Sequence, residues 1–168
     1  MIPYIVMIVS FIMDGILTNY LPYLVNDLSW FTPLLTLVSV FLIYPFYRKK
    51  LKQYFITIII LGLLYDLFYT NLLFINAIIF AGVGLLAKTF WKNSYIGVFR
   101  MGLYICLLVA LYEIVNVAFL LIGNMVPVTL MRLIYKISHS LILNVIYAEV
   151  WLLIINSLPK KYKKISIN

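Results

Sequence analysis

Acids are scarce in this chain: five Asp and Glu stand against thirteen Lys and Arg in 168 residues. Histidine occurs once, as His139, and cysteine once, as Cys106. A single cysteine excludes an intrachain disulfide framework and a cysteine metal cluster. The sequence holds no Gly-x-Ser-x-Gly, no His-Glu-x-x-His and no phosphate-cradling glycine loop. No nucleophile–base pair is therefore legible, and we expect a non-enzymatic protein without cofactor or metal. Charged residues make up only 11% of the chain, where soluble domains carry about 25%. Long polar loops, and any stretch able to form a separate soluble domain, are also missing.

Apolar sequence is abundant instead. Hydrophobic residues are 65% of the chain, against about 45–50% in soluble domains. A domain of this size cannot hide that much apolar side chain from water, so the solvent must be lipid. The expected class is an all-α integral membrane protein, one unit over residues 1–168. A span needs about 20 apolar residues. Six candidates fit, at about residues 2–24, 30–47, 54–70, 72–87, 98–122 and 134–158, followed by a basic tail at 159–168. Pro33 is placed in the first turn of the second span, where its missing N–H costs little. The third and fourth spans read as the short ones. The N-terminal segment lacks a basic n-region and a small-residue cleavage site, so it reads as a retained span.

The net charge of +8 reads as a topology signal. With the N-terminus cytoplasmic, six crossings place eleven of the thirteen basic residues inside and leave only Arg132 and Lys136 outside. That assignment puts both termini in the cytoplasm. Lysines flanking apolar spans do not form a nucleic-acid surface, so lipid is the expected contact and nucleic acid is not.

Four of the five acids, Asp14, Asp66, Glu113 and Glu149, fall inside apolar spans. Ionisable residues there are expensive and point to function by default. The plainer alternative is that each is hydrogen-bonded to a neighbouring helix as packing glue. Asn116, Ser138, His139, Ser140, Asn144 and Asn156 are further polar groups within spans. His139 and Glu149, ten residues apart, are placed on one stripe of the sixth helix, as structural contacts or as a proton path.

The stretch from Gly62 to Gly84 reads as two helices joined by a tight turn near Thr70 and Asn71, with the other apolar helices expected to wrap around this hairpin. Gly62 and Asp66 lie one helical turn apart. Ala77 and Ala81, with Gly84 beyond, form a small-residue ridge that admits a close helix, from this chain or from a partner. The segment Leu61-Gly62-Leu63-Leu64-Tyr65-Asp66-Leu67-Phe68-Tyr69-Thr70-Asn71, followed by Ile75-Asn76-Ala77, resembles the MreD family of rod shape-determining membrane proteins. Gly62 and Asp66 match that family's G-x-x-x-D element, and Asn76 and Ala77 match the polar–small pair opening its next helix. Ser140 to Asn144, then Tyr147 and a basic tail, look like its last helix. Many members carry a proline and a glycine in the turn, where this chain has Leu72 and Phe74. The resemblance implies a multi-pass protein of the bacterial cell membrane. It implies a scaffold that binds an MreC-like protein in the cell-elongation complex. Through that partner it would reach MreB, a RodA-type glycosyltransferase and a class B penicillin-binding transpeptidase, serving peptidoglycan synthesis and cell shape. The family's fold is also similar to the six-helix substrate-binding subunits of energy-coupling factor vitamin transporters, which is the alternative function.

Overall fold

A computed structural model describes residues 2–24, 32–70, 74–91, 97–122 and 130–157. Asn71, Leu72, Trp30 and the basic tail 159–168 lie outside the described residues. Among those described, every regular element is helical: α1 (Ile2–Leu24), α2 (Leu35–Ile43), a 3₁₀ turn (Tyr44–Tyr47), α3 (Leu51–Tyr69), α4 (Ile75–Phe90), α5 (Val98–Ile122) and α6 (Leu130–Ser157).

Four of these contain segments long and apolar enough to cross a membrane: Ile2–Tyr20, Leu51–Tyr69, Val98–Phe119 and Leu133–Ser157. The segments Leu35–Tyr47 and Ile75–Phe90 are shorter. Among the described residues the six expected helices are thus four long ones and two short ones. The second element, not the third, is a short one. Its reason is local. Pro33 drives the residue before it out of the helical region, and Thr32 to Leu34 are not helical. Pro33 therefore precedes α2 and does not lie in its first turn.

α2 is the centre of the molecule. All nine of its residues are buried, and it packs against α1, α4 and α6. The Gly62–Gly84 hairpin, the expected centre, instead lies against α2 through α4. Pro45 explains how α2 ends. It has no N–H to give to Phe41 O four residues back, and the indole Nε1 of Trp91 donates to that carbonyl at 3.1 Å. Tyr54 Oη donates to Val40 O at 2.9 Å. Two aromatic side chains from α3 and the end of α4 thus finish a buried helix end that no water reaches.

α4 buries Asn76, Ala77, Phe80, Val83, Gly84 and Ala87, the spacing of a single helical face. That face meets α3. A Cβ at Gly84 would stand 2.5 Å from Ile58 Cδ1 and 3.1 Å from Tyr54 Cε1. Ala77 and Gly84 of the small-residue ridge therefore pack on this chain's own α3, and Ala81 is half-buried beside them.

Candidate functional site

The first four N–H groups of a helix lack an intrahelical acceptor. A local Ser, Thr, Asp or Asn usually supplies one. Neither short helix has it: the residue preceding α2 is Leu34 and that preceding α4 is Phe74, and neither makes a side-chain cap. In water the orphan donors would be solvated. Within lipid each costs several kcal/mol if left unmet.

Both starts borrow a carboxylate from the helix before. At α4, Asp66 Oδ1 accepts from the Asn76 backbone N–H at 3.2 Å and the Asn76 side-chain amide at 2.8 Å. The same oxygen accepts from Thr70 Oγ1 at 3.0 Å, while Oδ2 takes the Ala77 N–H at 3.4 Å. Gly62 makes this reach possible. A Cβ there would fall 2.5 Å from Ala77 Cα, 2.8 Å from Ala77 N and 2.9 Å from Asn76 O. Those are backbone atoms and cannot swing away. Gly62 brings the two backbones together and Asp66, one turn on, caps the helix so approached. Phe74 carries φ of 71° in the turn between them. A left-handed backbone is costly for a non-glycine residue, about 1–2 kcal/mol, so the surrounding contacts must hold it there.

At α2 the pattern repeats. Asp14 of α1 accepts from Leu35 N–H through Oδ1 and Thr36 N–H through Oδ2, both at 2.8 Å. α6 completes the site. Asn144 Oδ1 accepts from Leu34 N–H at 3.0 Å, and its amide donates to Thr32 O at 3.2 Å and Ser140 O at 2.7 Å. Ser140 Oγ accepts from Thr32 N–H at 2.9 Å. The Thr32–Thr36 backbone thus has its donors met by three buried side chains from α1 and α6. Asp14→Ala strands two buried amides at about 1–3 kcal/mol each. The expected loss is about 2–3 kcal/mol in reversible unfolding from mixed micelles, and a midpoint equal to wild type would contradict this role.

The third acid departs from the pattern. Glu113 of α5 is fully buried, and it meets a side chain, with Lys136 Nζ at 2.9 Å from Oε2. Asp14, Asp66 and Glu113 lie 12, 15 and 15 residues into their helices, or about 18–22 Å along them at 1.5 Å per residue. All three carboxylates are within electrostatic reach of Tyr112.

The remaining candidates stand apart. His139 is exposed on α6. Glu149 is half-buried, with Oε1 3.8 Å from where a Gly102 Cβ would be. The two do not share a stripe: ten residues turn the helix about 80° away from alignment. Thr70 and Trp91 carry no signal in the sequence that marks them as site residues, whereas Ser140 and Asn144, four apart in an apolar helix, do.

The fold and its buried joints define an all-helical, multi-pass membrane protein. No family model, curated protein or solved structure matches the chain.

Proposed function

We propose that the protein is a non-catalytic membrane scaffold of the MreD kind, set in a bacterial cell membrane with both termini cytoplasmic. It binds an MreC-like protein and, through it, the filament and synthase components of the elongation machinery. The observation that carries the reading is the joint itself. Gly62, Asp66, Asn76 and Ala77, the residues on which the resemblance rests, meet at one point and fix how α4 leaves α3. A scaffold needs rigid helices whose outer faces hold a set geometry. Buried polar side chains that start helices supply such rigidity without forming a reaction centre.

The uptake alternative needs a few polar groups converging on a ligand in a pocket of about 300–1,000 Å³. The cavity between α4 and α5 has a suitable volume, about 440 Å³, but its lining is Ile78, Val83, Leu86, Leu108, Val115 and similar apolar side chains, with Tyr112 as the sole hydroxyl. That favours the scaffold.

Affinity purification of the tagged chain from native membranes in mild detergent tests the reading. Wild type is expected to bring down an MreC-like protein with elongation synthases, and Asp66→Ala or Gly62→Leu to lose most of it. Recovery of transporter ATPases and their membrane coupling subunit, or wild-type recovery by both variants, overturns it.

A further inference from the structure

α5 packs along α6, and its contact with α4 is slight. The two helices meet where Phe90, the last residue of α4, stacks on Tyr104 with ring centroids 4.4 Å apart. Beyond that stack they part, and the cavity of about 440 Å³ occupies the gap. Ile78, Gly82 and Leu86 form one wall, and Leu108, Leu111 and Tyr112 the other. The cavity opens sideways, because Ile78 and Leu111 on its rim are exposed. Gly82 widens it, since a Cβ there would meet nothing within 4 Å.

Depth and shape select the occupant. Leu108 lies about 15 Å along α5 from Val98, near the middle of a 25-residue helix. A bilayer at that depth is hydrocarbon. Water needs two to four polar partners in a cavity, and this lining offers the Tyr112 hydroxyl alone. A transmembrane helix is about 30 Å long and about 10–12 Å across. It cannot enter a groove that runs about 12 Å from Ile78 to Leu86 and is closed at its foot by stacked rings. A hydrocarbon chain is thin enough to enter from the side. It would also restore the dispersion contacts that side chains lining a gap forgo.

We infer that the groove between α4 and α5 binds one phospholipid acyl chain. Two helices hold this chain, where a chain skirting the outer surface meets one. It fills the seam between α4 and the α5–α6 pair, so the lipid is part of the packing there. The inference is independent of the scaffold reading.

The test reconstitutes the full chain in phosphatidylglycerol vesicles doped with a phosphatidylcholine that carries a diazirine near the end of one acyl chain. After illumination, peptide mapping locates the adducts. They are expected at Leu108 or Tyr112. Leu108 is only 1% exposed, so a chain that stays on the outer surface does not reach it. Gly82→Phe should remove most of these adducts by filling the groove. It should leave those at Ile60 on the outer face of α3, and the unfolding midpoint, as in wild type. Gly82→Leu serves if the phenylalanine variant does not fold. Labelling confined to exposed residues such as Ile60, or inner-wall adducts indifferent to both substitutions, overturns the inference. So does p-benzoylphenylalanine at Leu111 attaching to a polypeptide in the native membrane, because a partner's side chains would then fill the groove.

Discussion

Asp66→Ala is expected to cost about 3–5 kcal/mol of folding stability. The change strands the Asn76 and Ala77 backbone N–H groups and the Asn76 side-chain amide, all in buried residues. Each stranded donor costs about 1–3 kcal/mol where water cannot replace the lost acceptor. Side-chain hydrogen bonds between membrane helices average only about 0.6 kcal/mol, because the unfolded state in lipid finds other partners. That smaller figure does not govern here, since a helix start forced to begin inside the bundle has fixed donors and few alternatives. Asp66→Asn separates the contributions. Its carbonyl can still take the bonds made to Oδ1, but its amide then points a donor at the Ala77 N–H, so an intermediate loss of about 1–2 kcal/mol is expected. The measurement is reversible unfolding by denaturing detergent in mixed micelles, read by circular dichroism. Equal stability for wild type and Asp66→Ala would remove the cap from the account.

Gly62→Ala is the second. One methyl group is added, and it arrives 2.5 Å from Ala77 Cα. Overpacking a tight site costs about 1–3 kcal/mol when side chains can shift. Here the obstacle is backbone, so about 3 kcal/mol is expected, with Gly62→Val worse. The substitution also pushes α4 away from α3 and stretches the Asp66 bonds, so its effect should overlap with that of Asp66→Ala. The double variant is expected to lose clearly less than the sum of the two, as residues sharing one contact do. Full additivity would mean that the glycine and the carboxylate act independently, and the joint would not be one unit.

The same two residues show what a linear reading recovers. Asp66 in an apolar run is anomalous without any structure, because a carboxylate in lipid demands a reason. Gly62 one turn earlier marks the same helix face. Their pairing was legible because both partners lie within one local stretch, and helical spacing alone places them together. Asp14 was anomalous for the same reason, but its partner was not legible. The Leu35 and Thr36 amides are some twenty residues away, and backbone donors leave no mark in the amino-acid code. Asn144 and Ser140 reach the same segment from over a hundred residues away.

Composition by itself determined the class. A chain with this much apolar side chain and so few charges has only lipid to fold in, where the backbone must meet its own hydrogen bonds, and continuous apolar runs of about 20 residues do so as helices. The sequence also marked which polar residues needed explanation. Only the tertiary structure decided that α2 and not the Gly62–Gly84 hairpin sits at the centre. Burial of α2 on all sides depends on which helices surround it, and hydropathy is the same for a helix in lipid as for one in protein. It also decided that Asp14 and Asp66 serve helix starts while Glu113 serves a lysine. The identity of a carboxylate's partner is a matter of distance across the bundle, and distance is set by packing.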